Sequence, residues 1–122
     1  MAKIRIYGRP GCSECGQAMA FLGDRELEFE PHDLTKERLT RGLLEEAIPE
    51  DHFTECLDRQ SPFYRLFDLD RKVPNRKTII KLILEEPGLL KVPMVIGDGR
   101  ATFGWSAKRF EALFGEKEDG SA

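Results

Sequence analysis

Long hydrophobic runs are absent from this sequence. No stretch approaches the roughly 20 apolar residues that a membrane-spanning helix needs, so no membrane association is expected. The N-terminus, Met1-Ala2-Lys3-Ile4-Arg5-Ile6-Tyr7, alternates charged and apolar residues instead of building a signal-peptide core. The protein is therefore expected to stay in the cytoplasm. Charge of one sign is lacking too. With 19 basic residues against 22 acidic ones the net charge is −3, which argues against direct nucleic-acid binding, a role that usually shows a strongly basic balance. Cysteine is scarce. Three in 122 residues are too few, and odd in number, for a secreted disulfide scaffold. In a reducing compartment a close cysteine pair is more often catalytic or metal-binding than structural. Repeats and low-complexity blocks are absent, and a 40% hydrophobic content argues against disorder. A single domain of this length buries about two thirds of its unfolded surface, enough for a core without staples.

The pattern along the chain is strand, helix, strand, a long helical stretch, a hairpin and a helix. Lys3 to Tyr7 alternates like a strand, and Gly8-Arg9-Pro10-Gly11 breaks it. A helix starts at Cys12, with Ala18, Met19, Phe21 and Leu22 as its apolar positions, and stops at Gly23-Asp24. Leu27, Phe29 and Pro31 alternate with Glu28 and Glu30 in a second strand that ends near His32-Asp33-Leu34. Thr35 is read as the N-cap of a helix carrying Leu39, Leu43, Leu44, Ala47 and Ile48. Pro49 interrupts it, and Glu50 to Leu57 reads as a short helical turn. Ser61-Pro62 is an N-cap followed by proline at the first helical position, with Phe63 and Phe67 on one face. Asn75 caps a helix bearing Ile79, Ile80, Ile83 and Leu84, ended by Pro87-Gly88. Pro93 to Ile96 is a buried strand, Gly97-Asp98-Gly99 a hairpin turn, and Arg100 to Phe103 the returning strand. Ser106 caps a last helix whose Phe110, Leu113 and Phe114 face inward. A strand–helix–strand crossover favours a parallel pair, and the hairpin adds antiparallel strands. The expected architecture is α/β: a mixed four-stranded sheet with helices on both faces, in one domain over 1–114, with a helical insertion at 35–90 and a flexible tail at 115–122.

Cys12-Ser13-Glu14-Cys15 stands between a strand and the first turn of a helix. That spacing puts both sulfurs on one helix face, about one turn apart. Cys12 at the helix N-terminus meets unpaired backbone amides and the positive end of the dipole, which stabilise a thiolate, the attacking species. Cys15, one turn deeper, resolves a mixed disulfide. Arg9 favours the thiolate and Glu14 opposes it by like-charge repulsion. Half of a zinc site is the competing reading, but it needs two more ligands. Cys56, His32 and His52 are the remaining candidates and form no second pair, so no metal is expected. Taken singly, Cys56 reads as a buried free cysteine, and the isolated His32 and His52 each as a surface or satisfied histidine. Trp105, Phe103 and Phe110 read as core. The run Arg71-Lys72-Val73-Pro74-Asn75-Arg76-Lys77 reads first as a solvated loop and helix start. The other reading is a docking patch for an acidic partner or glutathione, extended by Arg59, Arg65 and Lys81.

The string Tyr7-Gly8-Arg9-Pro10-Gly11-Cys12-Ser13-Glu14-Cys15 resembles the active-site opening of glutaredoxins and of the arsenate-reductase-like (ArsC/Spx) family. The string from Glu86 to Ile96, with Lys91-Val92-Pro93-Met94 at its centre, is similar to a second hallmark of that family, as are Phe103-Gly104-Trp105 and the closing helix. The resemblance covers nearly the whole chain. It implies a thioredoxin-like fold with Pro93 cis beside Cys12. The Val92 backbone would then face the thiolate, making Arg9, Val92 and Pro93 the substrate-binding residues. Arsenate reductases of this family hold their oxyanion with arginines, one just before the cis-proline and another near the end of the hairpin. This sequence has Val92 at the first position and Gly104 or a neighbour at the second. Those departures favour a thiol–disulfide oxidoreductase. No tightly bound cofactor is implied, and glutathione or a thiol/disulfide protein serves as co-substrate. Two alternatives remain: a redox-responsive regulator of the Spx type that binds RNA polymerase, and a glutathione- or glutaredoxin-coupled arsenate reductase.

Overall fold

A computed structural model describes residues 4–97 and 99–114. The start of the first strand at Lys3, Asp98 in the hairpin turn and the expected tail at 115–122 lie outside the described residues. Four strands form one sheet: β1 (Ile4–Gly8), β2 (Phe29–Asp33), β3 (Met94–Gly97) and β4 (Arg100–Phe103). Their order is β2-β1-β3-β4. β1 runs parallel to β2 with Tyr7 opposite His32, and antiparallel to β3 with Tyr7 opposite Met94. β4 closes the hairpin. This is the mixed four-stranded α/β sheet expected from the crossover and the hairpin.

Strand alternation decides which face each residue serves. Ile4, Ile6 and Val95 point to one side, where they pack with Ala18 and Leu22 of α1 (Ser13–Asp24) and Phe110 of α5 (Ala107–Phe114). Tyr7, Met94, Ile96 and Phe103 point to the other. There they meet Leu44 of α2 (Arg41–Ala47) and Ile79, Ile80 and Ile83 of α4 (Arg76–Glu85). β3 is buried along its whole length, which accounts for its unbroken apolar run. Each of these fully buried aliphatic side chains contributes about 1.5–3 kcal/mol. In α5, Phe110 is buried while Leu113 and Phe114 are half-buried.

The short elements follow their caps. Ser61 Oγ accepts from Phe63 N–H ahead of α3 (Pro62–Leu66), Asn75 Oδ1 accepts from Thr78 N–H and Ser106 Oγ from Arg109 N–H. Phe63 and Phe67 stack with centroids 6.2 Å apart. Phe53–Cys56 is a single 3₁₀ turn. Thr35 is not a helix cap. Its N–H and Oγ1 both donate to Asp33 Oδ1, at 2.8 and 2.6 Å, so an Asp-led turn captures it. The helix waits for Thr40, whose Oγ1 accepts from Leu43 N–H at 3.1 Å. Arg76, expected in a solvated run, is committed to the fold. Its Nε and Nη2 donate to Ile48 O, and Nη2 also to Glu45 O, satisfying carbonyls that the end of α2 leaves open. Among the described residues no helix is long and apolar enough to cross a membrane.

Candidate active site

Gly11, at φ +81°, turns the chain out of β1 and sets up α1. Cys12, the expected first residue of the helix, is instead the N-cap of α1, which begins one residue later at Ser13; its Sγ lies 3.1 Å from Cys15 N, whose N–H donates to it. One N-terminal amide of the helix, that of Cys15, thus points at this sulfur. Cys12 and Cys15 are joined as a disulfide with Cα atoms 5.3 Å apart. Cys15 is buried and Cys12 half-buried, so the outer sulfur is the one that faces solvent. Cys15 fits only because Gly8 has no side chain: a Cβ there would stand 2.6 Å from Cys15 Sγ.

The Val92–Pro93 bond is cis. Pro93 is buried, and Val92 borders a groove of about 590 Å³ that Cys12 also lines. The far wall comes from the stretch between β2 and β3. Leu57 and Leu90 form an isolated bridge, Asp58 N–H donates to Leu89 O at 2.9 Å and Lys91 N–H to Cys56 O at 2.8 Å. This pairing brings Lys91 alongside the segment that carries Glu55, Asp58 and Arg59, and all four line the groove. Gly104, at φ +81°, leaves the room that the Lys91 side chain fills; a Cβ there would lie 2.5 Å from Lys91 Cε.

Two expected neighbours are engaged elsewhere. Glu14 lines the Cys12 groove, but its Oε1 is engaged by Trp105 N–H, which donates to it at 3.2 Å. Arg9 donates from Nη2 to Pro87 O at 2.7 Å. It lines a separate hollow of about 350 Å³ on the Cys15 side of the disulfide, with Gly8, Met19, His32 and Asp33. The structure therefore brings Cys12 and Val92 into one groove with Arg59 and Lys91, and leaves Arg9 on the opposite side.

His32 is not isolated. Its ring stacks on Tyr7 at 4.5 Å between centroids. Nδ1 lies 2.9 Å from both Glu37 carboxylate oxygens and Nε2 3.0 Å from Glu30 Oε1. Burial by itself would lower its pKa, but the bonds to Glu37 and Glu30 outweigh that and hold it above the ordinary histidine value. Cys56 is free and fully buried. Burial pushes its thiol up to about 12, and Sγ donates to Phe53 O at 3.1 Å, so it is closed to thiol exchange in the folded chain. Among the described residues no three His, Cys, Asp or Glu side chains gather as a metal-binding group. The sequence carried signals for Gly8 (a glycine ending a strand one turn before the cysteines) but none for the placement of Arg59 and Lys91, which depends on contacts between distant segments.

The ArsC family model matches residues 7–113. An uncharacterized protein of Haemophilus influenzae is 28% identical over 114 residues, covering 91% of this chain and 98% of its own length. The global transcriptional regulator Spx of Enterococcus faecalis is 26% identical over 105 residues, covering 84% of this chain and 80% of its own. Among solved structures, an arsenate reductase (ArsC) related protein from Brucella melitensis superposes with a TM-score of 0.69 at 26% identity, covering 93% of this chain and 95% of the other.

Proposed function

The chain belongs to the ArsC family, and from that premise we propose that it is a cytoplasmic thiol–disulfide oxidoreductase. The supporting observation is the Cys12–Cys15 disulfide at the start of α1, its outer sulfur half-exposed on the groove that Val92 borders. In the reduced protein the Cys12 thiolate attacks one sulfur of a substrate disulfide or glutathione adduct. A Cys12–substrate disulfide forms and the other sulfur leaves as a thiolate that takes up a proton. Cys15 then loses its proton and attacks Cys12 Sγ, releasing the second substrate thiol and closing the Cys12–Cys15 bond. Two electrons pass from protein to substrate, and two thiols of the glutathione class return them. This cycle uses no tightly bound cofactor. Arg59 and Lys91 supply positive charge beside Cys12. Arsenate reduction fits less well, because Val92 stands where the family's oxyanion arginine belongs.

The likeness to Spx regulators favours one second reading: the same pair acts as a redox switch that controls docking on RNA polymerase. The variant Cys15→Ser decides between them. Under turnover it accumulates a mixed disulfide on Cys12 if the protein is an oxidoreductase. No adduct, no turnover with glutathione or thioredoxin, and redox-dependent co-purification with RNA polymerase establish the regulator instead.

A further inference from the structure

A second cavity, of about 530 Å³, lies beyond the Cys12 groove. Arg59 and Gln60 line both, so the two spaces share a wall. The second is built on the start of α3 and the loop after it: Tyr64, Arg65 and Arg71 line it together with Asp68 and Asp70.

Its arginines differ from most others in the chain. Arg5 is paired with Glu46, Arg25 with Glu111, and Arg9, Arg76 and Arg109 are spent on backbone carbonyls. Among the described residues the Arg65 guanidinium has no hydrogen-bond or ion-pair partner, and that of Arg59 only lies over the Tyr64 ring, 6.0 Å from its centroid. Arg71 meets Asp68 at 3.7 Å, with both side chains largely exposed, a contact that holds the guanidinium weakly. Three guanidiniums thus face two carboxylates, with their donor forks available. Around Cys12 the balance reverses: Glu14, Glu55 and Asp58 stand against Arg59 and Lys91.

We propose that this arginine cavity binds an acidic polypeptide segment adjoining the cysteine whose disulfide Cys12 attacks. The inference rests on the oxidoreductase reading and narrows its substrate class to a protein disulfide with carboxylates on one side of the reacting cysteine. Size points the same way. Each cavity falls within the roughly 300–1,000 Å³ that encloses a whole small ligand, so a tripeptide thiol fills one and leaves the other empty. A longer chain crosses the Arg59–Gln60 wall, its cysteine at Cys12 and its carboxylates on Arg65 and Arg71 as bidentate pairs.

The test is single-turnover oxidation of the reduced full-length protein by four disulfides: hydroxyethyl disulfide, glutathione disulfide, and two synthetic peptide dimers differing only in glutamates or glutamines to one side of the cysteine. The glutamate peptide is expected to react about tenfold faster than its glutamine twin, in keeping with two or three solvent-screened charge pairs, and salt is expected to erase the gap. In Arg65→Gln/Arg71→Gln the ratio of the two peptide rates falls to near one. Equal peptide rates in the wild type, a ratio that survives in the double variant, or glutathione disulfide outrunning the glutamate peptide each overturn the inference. Hydroxyethyl disulfide separates the two levels. A protein that it oxidises but that ignores the glutamates defeats only this inference, whereas one that no disulfide oxidises defeats the oxidoreductase reading as well.

Discussion

Gly8 and Cys15 are in contact across the end of β1: a methyl group on Gly8 would lie 2.6 Å from Cys15 Sγ and 3.2 Å from Cys15 Cβ. Glycine at this position is what lets the inner sulfur sit against the end of β1 while the outer one stays at the groove. Gly8→Ala should therefore cost about 1–3 kcal/mol, the usual range for overpacking. The loss should be larger in the oxidised protein, where the Cys15 sulfur is tied to Cys12, than in the reduced one, where the thiol can rotate away. Thermal unfolding of both redox states measures this. Equal losses in the two states would show that the contact does not constrain the disulfide.

Reactivity should separate the three cysteines. In the reduced protein Cys12 borders the groove at the start of α1, and its thiol should titrate below the ordinary cysteine value of about 8.5. Iodoacetamide near neutral pH should alkylate Cys12 first and leave Cys56 unlabelled until the chain unfolds. Burial holds the Cys56 thiol neutral up to about 12, while the unfolded chain ionises near the free value. Stability from this group is complete below the unfolded pKa and is lost as pH climbs toward the folded one. Cys56→Ala should flatten that alkaline decline. Early labelling of Cys56, or a Cys12 titrating at or above the free value, contradicts the assignment of roles.

These residues also mark what could be read in advance. The cysteine pair, Ser61, Asn75 and Ser106 as caps, and the strand alternation are local signals, fixed by neighbours two to four positions away. Thr35 and Thr40 have the same capping chemistry, and only the Asp33 side chain, which traps the first, distinguishes them. Arg59 beside Cys12, Arg76 at the end of α2, and Tyr7 stacked on His32 arise when separate segments meet, and no spacing rule encodes them. The cis Val92–Pro93 bond came through resemblance, since sequence alone strongly favours trans.

His32 should give the fold a measurable pH dependence near neutrality. Glu30 on its own strand and Glu37 on the following turn face its two ring nitrogens, and Tyr7 on β1 covers its ring, with Arg5 hydrogen-bonded to the Tyr7 hydroxyl. Its folded pKa is raised, so the imidazolium stabilises the fold fully below the unfolded value of about 6.5. That contribution disappears as pH rises through the folded value. Its size is at most about 1 kcal/mol, because the carboxylates are solvent-exposed. Urea unfolding of wild type and His32→Gln should differ most at pH 5–6 and converge above the folded pKa. A constant difference across that window means that the ring acts through stacking on Tyr7 alone.

Arg76 offers the sharpest separation of scaffold from chemistry. Its guanidinium reaches three donor–acceptor contacts at 2.8 to 3.0 Å on Ile48 O and Glu45 O, tying the start of α4 to the end of α2. Both carbonyls lack helical partners at that end, and hydrogen bonds from a charged donor are worth about 1.5–3 kcal/mol. Arg76→Ala should lower stability by that amount in urea unfolding, with the slope of the transition unchanged. Arg76→Lys should recover less than half, since an ammonium cannot reproduce the planar fork that serves two carbonyls together. Neither variant should alter the alkylation rate of reduced Cys12, because Arg76 does not line its groove. A loss below about 0.5 kcal/mol, the range of an ordinary surface substitution, would mean that water satisfies those carbonyls and that α2 holds its place by Leu44 and Ala47 alone.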